Sequence, residues 1–214
     1  MSHPCGFFIT FEGGEGAGKS TLSKKIYQYL VKQKKAVLFT KEPGGTKLGK
    51  KVRILLLQKK ETWISPRAEL LLFLADRAQH VDELIIPALQ QGQIVLCDRF
   101  SDSTRAYQGA GRGFSTKWLE SLLQFATNGL QPDLTFYLDV DPQIGFQRAK
   151  RERRQLDRME QEALAFHKKV RKAFLSIAKK YPKRICTIDA SLSPEVVFAY
   201  AKRKLDAFLR SSRK

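Results

Sequence analysis

The sequence predicts an α/β protein, a five-stranded parallel sheet covered by helices on both faces. Three observations carry this. Short apolar runs rich in strand formers recur at residues 7–11, 36–40, 94–97, 134–138 and 185–188, without the alternation of a half-solvated strand. Stretches with apolar residues at helical spacing separate them, as parallel strands joined by crossover helices require. Between the first run and the first such stretch stands G-x-x-x-x-G-K-S, from Gly13 to Ser20. A Gly-rich turn between strand and helix aims consecutive backbone N–H groups and a helix N-terminus at one point, where phosphate oxygens sit. The fold class is therefore a P-loop NTPase, three layers α/β/α, with a short mobile lid.

Each element follows in order. After the strand at 7–11, Gly13, Gly14, Glu15, Gly16, Ala17, Gly18, Lys19, Ser20 and Thr21 form the ATP cradle. Lys19 reaches the β- and γ-phosphates, and the Ser20 hydroxyl ligates Mg²⁺. Leu22, Ile26, Tyr29 and Leu30 mark the first helix, and 36–40 the second strand. Pro43 and paired glycines make 41–46 a loop. Leu48, Val52, Leu55 and Leu56 imply a short helix. Ser65 as N-cap and Pro66 at the first helical position open another, which runs toward Val81, and 82–91 is helical as well. The third strand ends at Asp98, Arg99 and Phe100; a polar, Gly-rich loop follows to Phe114, then a helix over 116–127. Pro132 and Asp133 introduce the fourth strand, closed by Asp139. A helix from Pro142 leads into basic residues at 148–158. Leu156, Met159, Ala163, Phe166, Val170, Phe174, Ile177 and Tyr181 step by three or four, one long amphipathic helix. The last helix runs from Pro194 to about Leu209.

At 214 residues the chain is expected to be one domain, 1–214, with a flap at 148–158. There is no basic leader and no apolar segment of membrane-spanning length, so no membrane partner is expected. Cys5, Cys97 and Cys186 are odd in number, far apart and without a C-x-x-C pair; Cys97 and Cys186 fall within predicted strands, which points to buried reduced thiols there and a cytoplasmic location. The net charge of +18 suits nucleic acid or polyanionic substrates. Lysine runs at 32–35, 179–180 and 202–204 fall near predicted helix ends, where the dipole favours them. With no recognition motif and no aromatics among the lysines, no nucleic-acid partner is expected.

Functional groups of such a sheet gather at the carboxyl ends of its strands. Those ends carry Glu12 to Ser20, Lys41 to Pro43, Asp98 to Phe100, Asp139, and Asp189 with Ala190. Asp98 is either a Walker-B acid holding Mg²⁺ through water or a strand-end aspartate satisfied by nearby amides.

The blocks F-E-G-G-E-G-A-G-K-S at 11–20, E-P-G-G-T at 42–46, F-L-A-D-R at 73–77 and D-R-F at 98–100 stand in one order. A-Y-Q-G at 106–109 with G-R-G at 111–113, Y-L-D at 137–139 and D-R-M-E at 157–160 follow them. In this set, spanning 7 to about 189, the chain resembles thymidylate kinases, which phosphorylate dTMP with Mg·ATP. The resemblance implies that Arg99 and Arg53 grip the dTMP phosphate and that Phe73 stacks on thymine. Arg77, Thr104 and Gln108 would meet the base edge, Tyr107 would crowd the sugar 2′ position, and Glu15 would receive the 3′-hydroxyl. It also implies a homodimer. Two positions depart from the family pattern: Phe100 stands where D-R-Y has Tyr, and Met159 where an aromatic is frequent.

Phosphoryl transfer needs positioning and positive charge around an anionic group. Arginine supplies a permanently charged fork. Some members of the family place an arginine in the P-loop at the position of Gly16; this chain does not, so the lid must supply the charge. Residues 148–158 hold six cations in eleven residues, whose repulsion an anion would relieve. Arg153 is the expected catalytic finger beside Lys19 and Arg99, with Arg151 and Arg148 in support. Asp157 and Glu160, one helical turn apart, would orient the lid.

Overall fold

The computed structural model describes residues 6–57, 63–151, 157–159 and 161–211. In chain order it runs β1 (Phe7–Gly13), α1 (Lys19–Lys32), β2 (Val37–Lys41), α2 (Lys47–Leu57) and α3 (Pro66–His80). A π-helical turn, Val81–Ile85, leads into α4 (Ile86–Gln90), then β3 (Ile94–Asp98), α5 (Ser101–Thr104) and a second π-helical stretch, Arg105–Gly111. There follow α6 (Thr116–Ala126), β4 (Leu134–Asp139), α7 (Pro142–Arg151), α8 (Leu164–Lys180), β5 (Ile185–Asp189) and α9 (Pro194–Ser211). The strands form one parallel sheet in the order β2-β3-β1-β4-β5. The five expected strands and the layered α/β class are all present.

Alternation along the strands assigns the faces. Ile9, Phe11, Leu96, Phe136, Leu138 and Ile188 are buried against Leu22, Ile26 and Leu30 of α1 and Val197, Ala201 and Leu205 of α9. On the other face Phe8, Val95 and Cys97 meet Val81, Ile85, Ala88 and Leu89, and Tyr137 and Ile185 meet Phe174 and Ala178 of α8. Each Val, Leu, Ile or Phe among them contributes about 1.5–3 kcal/mol by burial. Thr10 and Thr135, buried in adjacent strands, satisfy each other at 2.7 Å. The sheet is thus a fixed platform, and its carboxyl edge is where loops can carry chemistry.

Several expectations are corrected. Residues 101–111 are helical, not a loop: Gly109 and Gly111 are there for packing, since a Cβ would stand 3.1 Å from Leu119 Cδ2 and 2.6 Å from Phe166 Cε2 respectively. Helix 66–90 is one run, with Ser65 capping Ala68 N as expected at 3.3 Å. The π turn lies just before Pro87, which has no N–H to continue the regular ladder. Helix α8 begins at Leu164; Met159 reaches the same apolar cluster from a turn, so the helical spacing upstream of Ala163 had another cause. Asp157 is accordingly not helical. On α2 only Val52 and Leu56 of the apolar stripe are buried, while Leu48 and Leu55 are exposed. Cys97 is buried as expected, but Cys186 is only half-buried. The cations at 202–204 lie inside α9, and Lys202 sits 4.9 Å from the Tyr29 ring. Cys5, Arg153, Arg154, Leu156 and Glu160 lie outside the described residues.

Candidate active site

The P-loop leaves β1 with Gly13 and enters α1 through Gly18, whose φ of 86° is left-handed. That conformation suits glycine. The Lys19 side chain folds back over the loop and donates to Gly14 O at 2.7 Å. Burial pulls its pKa down, and Arg99 adds to this, against the pull of Glu15, Asp98 and Glu12. Ser20 Oγ donates to Asp98 Oδ2 at 2.7 Å. Two hard oxygen donors side by side, at the phosphate end of the P-loop, fit Mg²⁺.

Arg99, directly after β3, has a φ of 73°. A non-glycine residue held there marks stored strain at a working position. Its guanidinium donates to Glu15 Oε1 at 2.6 Å, Gly13 O at 3.1 Å and Ser103 Oγ at 3.2 Å, and lies 5.1 Å from the Tyr107 ring centre. Tyr107 OH donates to the same Glu15 oxygen at 2.9 Å. Burial opposes a charge on Glu15, but Arg99, Lys19 and the Tyr107 hydroxyl outweigh it and hold the carboxyl at about 2.

Beside this cluster lies a wall from α3 and the helical stretch at 101–111. Arg77, 1% exposed, donates from Nε to Glu42 Oε2 and from Nη1 to Thr104 Oγ1, each at 2.8 Å. Arg53 of α2 donates to Pro43 O at 2.8 Å. One cavity of about 870 Å³ is lined by Glu15 to Thr21, Arg53, Phe73, Arg77, Asp98, Arg99, Thr104, Tyr107 and Gln108, and by Arg148 and Arg151 of α7. Sequence-selected residues from seven elements therefore meet in one space. Arg151 is exposed at its margin, whereas the Arg148 guanidinium donates to Ala190 O at 2.7 Å and Ser191 O at 3.1 Å.

The matching family model is described as thymidylate kinase and covers residues 11–200. The thymidylate kinase of Desulfovibrio desulfuricans is 48% identical over 95% of this chain and 96% of its own length. That of Protochlamydia amoebophila is 49% identical over 94% and 92%. The crystal structure of thymidylate kinase from Ehrlichia chaffeensis overlays with a TM-score of 0.76 at 35% identity, covering 95% of this chain and all of that one. The chain belongs to the thymidylate kinase family. It is accordingly a kinase, an enzyme of nucleotide biosynthesis that phosphorylates dTMP, as the motif set implied.

Several residues of this thymidylate kinase site were given no individual role by sequence reasoning, although Glu12 and Glu42 stood among the strand-end groups. Glu12 accepts from Phe100 N at 2.8 Å and from Ser103 Oγ at 2.6 Å, so it seats the turn that carries Arg99. Burial and the Asp102 charge push its carboxyl up to about 7. Glu42 holds Arg77, and its other oxygen meets His80 Nδ1 at 2.9 Å; His80 Nε2 meets Thr40 Oγ1 at 2.7 Å. Asp76 Oδ1 accepts from Gly44 N at 3.0 Å, and burial with the nearby Glu42 charge pushes Asp76 up to about 6. Glu42 and Asp76 stood inside quoted motifs, so the signal was present, but their partners are 32–38 residues away. Glu42, His80 and Cys97 lie close enough to hold an ion, but Glu42 and His80 have hydrogen-bond partners and Cys97 Sγ donates to Arg99 O at 3.0 Å. That group is scaffold for Arg77.

Proposed function

We propose that this enzyme transfers the γ-phosphoryl of Mg·ATP to dTMP, giving dTDP, by holding the two nucleotides end to end in the one cavity described above. The P-loop amides and Lys19 take the ATP phosphates, and Arg99 with Arg53 takes the dTMP phosphate. Ser20 would ligate Mg²⁺ directly and Asp98 through water; the ion supplies charge neutralisation between the phosphates. Thymine stacks on Phe73 with its edge toward Arg77, Thr104 and Gln108, Glu15 receives the sugar 3′-hydroxyl, and Tyr107 excludes a 2′-hydroxyl. Lid arginines, Arg153 first and Arg151 second, cover the transferring group. The observation that carries this reading is the shared cavity: the P-loop lysine, the Arg99–Glu15 pair and the Phe73–Arg77 wall open on the same 870 Å³.

The test is ATP consumption with dTMP, dUMP, dCMP, AMP and GMP offered one at a time. The expected result is fastest turnover with dTMP; another acceptor turned over more efficiently would overturn the reading. The chain acts as one kinase domain, 1–214, with residues 148–158 as its lid. A cytoplasmic location is in keeping with the free thiols of Cys97 and Cys186; among the described residues no helix is long and apolar enough to cross a membrane. The active unit is a homodimer. Support comes from large apolar side chains left exposed on three helices packed side by side: Leu55 of α2, Leu71 of α3 and Phe125 of α6. Sedimentation equilibrium at micromolar concentration checks this, with a monomeric mass as the contrary result.

A further inference from the structure

Glu69 is a buried carboxylate on α3, away from the phosphates, on which four donor groups converge. Gln108 Nε2 donates to its Oε1 at 2.9 Å and Arg112 Nε to the same oxygen at 3.2 Å. Arg112 Nη2 and Arg158 Nη2 donate to Oε2 at 3.0 and 2.7 Å. Burial opposes its charge, but the bonds from Arg112, Gln108 and Arg158 prevail and hold the carboxyl below its ordinary range. An ionised carboxylate has no hydrogen to give. The Gln108 amide must therefore turn its NH₂ toward Glu69, which leaves its carbonyl as the group a ligand can meet. Gln108 is 2% exposed and lines the cavity beside Thr104, Arg77 and Phe73.

We infer that Glu69 is a positioning residue for base selection: by fixing the Gln108 amide it favours a pyrimidine whose N3 carries hydrogen over one whose N3 is an acceptor. Thymine and uracil offer that N–H; cytosine does not. The inference rests on the assignment of Gln108 to the base edge made above. Two acceptors facing each other in a buried pocket leave both unpaired, a heavier penalty than a missing methyl group. Glu69 never touches the base. Its neighbours keep other anchors if its charge is removed: Arg112 pairs with Glu162 at 2.6 Å, and Arg158 Nε donates to Leu56 O at 2.9 Å.

Glu69→Gln tests this in the full-length enzyme by steady-state kinetics with dTMP, dUMP and dCMP. The new amide keeps its oxygen toward the Nη2 groups of Arg112 and Arg158 and offers NH₂ to Gln108, which turns the Gln108 amide round; Arg112 Nε gives up its 3.2 Å bond. The kcat/KM ratio of dTMP over dCMP should fall at least tenfold, while dTMP over dUMP stays constant because both carry the N3–H. A dTMP/dCMP ratio within twofold of wild type overturns the inference. So does an equal loss for all three acceptors, the mark of a merely structural role. If Glu69→Gln does not fold, Glu69→Met removes the acceptor without adding a donor and must lower the same ratio several-fold. Gln108→Leu separates the two levels. If it leaves KM for dTMP unchanged, the base-site assignment fails; if it raises KM while Glu69→Gln leaves the ratio intact, only the role of Glu69 fails.

Discussion

Arg99→Ala separates what the Arg99–Glu15 pair does for stability from what it does for turnover. Glu15 sits at about 2 against an ordinary 4.5, and among the opposing charges Arg99 is the largest. The difference between those values corresponds to roughly 3 kcal/mol of native-state stabilisation of the carboxylate. Because the folded value is the lower one, this stability is fully present above pH 4.5 and is lost as pH falls toward 2. Removing the guanidinium leaves a mostly buried carboxylate, 15% exposed, with Lys19, the Tyr107 hydroxyl and His167 to balance it. At pH 8 the variant should lose up to about 3 kcal/mol, a fall in Tm of roughly 6–12 °C for a chain of this size.

The double variant Glu15→Gln/Arg99→Ala has no unpaired charge and should recover most of that loss. Activity should behave differently. If Arg99 grips the dTMP phosphate, kcat/KM for dTMP falls about 10²–10³-fold in Arg99→Ala and is not restored in the double variant. Thermal melts at pH 8, with kinetics on the same samples, make the measurement. The reasoning is refuted if Arg99→Ala melts within about 1 kcal/mol of wild type, or if the double variant regains both stability and turnover.

Four further outcomes are expected. Lys19→Ala should cut kcat by about 10³ or more while the far-ultraviolet circular dichroism is unchanged; near-normal turnover would contradict the phosphate role of Lys19. Glu12, with its folded value raised from 4.5 to about 7, holds its proton more tightly when folded. Stability should therefore decline by roughly 3 kcal/mol as pH rises from 4.5 past 7, and Glu12→Gln should flatten that decline in urea melts; an equal slope in both proteins would exclude Glu12 as its source. Gly16→Arg should cost about 1–3 kcal/mol in denaturant melts, because position 16 has a left-handed φ of 63° and a side chain there meets Gly145 O; a neutral effect would show that α7 yields. Arg153→Ala should slow turnover about 10³-fold, and a loss below about tenfold with intact nucleotide affinity would move the finger role to Arg151 or Arg154.

The strands and the P-loop were legible because each is a local pattern: an apolar run, a turn, then helical spacing. Asp98 and Arg99 were legible because a strand end can be read from where its apolar run stops. The helical stretch at 101–111 was not, since Gly109 and Gly111 look like loop formers and reveal their purpose only against Leu119 and Phe166. Helix α8 was overextended because Met159 satisfies the same apolar spacing from a turn. Glu69 gave no signal at all. It precedes three leucines on a helix, and the partners that account for its burial lie 39 to 89 residues away in sequence. Periodicity finds faces; it does not find which distant donor a buried carboxylate serves.

Gly145 was equally silent, and it bears on where the catalytic charge originates. It lies on α7, and a Cβ on it would run into Glu15 O, just as a Cβ on Gly16 would run into Gly145 O. The P-loop and α7 therefore touch backbone to backbone, and position 16 cannot host an arginine without parting them. The element that closes this route also offers another. Arg148, one turn beyond Gly145, ties α7 to the carbonyls at the end of β5. Arg151 follows at i+3, on the same side of the helix and at the cavity margin. A helix fixed at Gly145 and Arg148 gives Arg151 a rigid base at the cavity margin, where the proposed transfer would take place. The proposed charge from the lid side and the tight glycine contact under the P-loop would thus be two consequences of one packing choice.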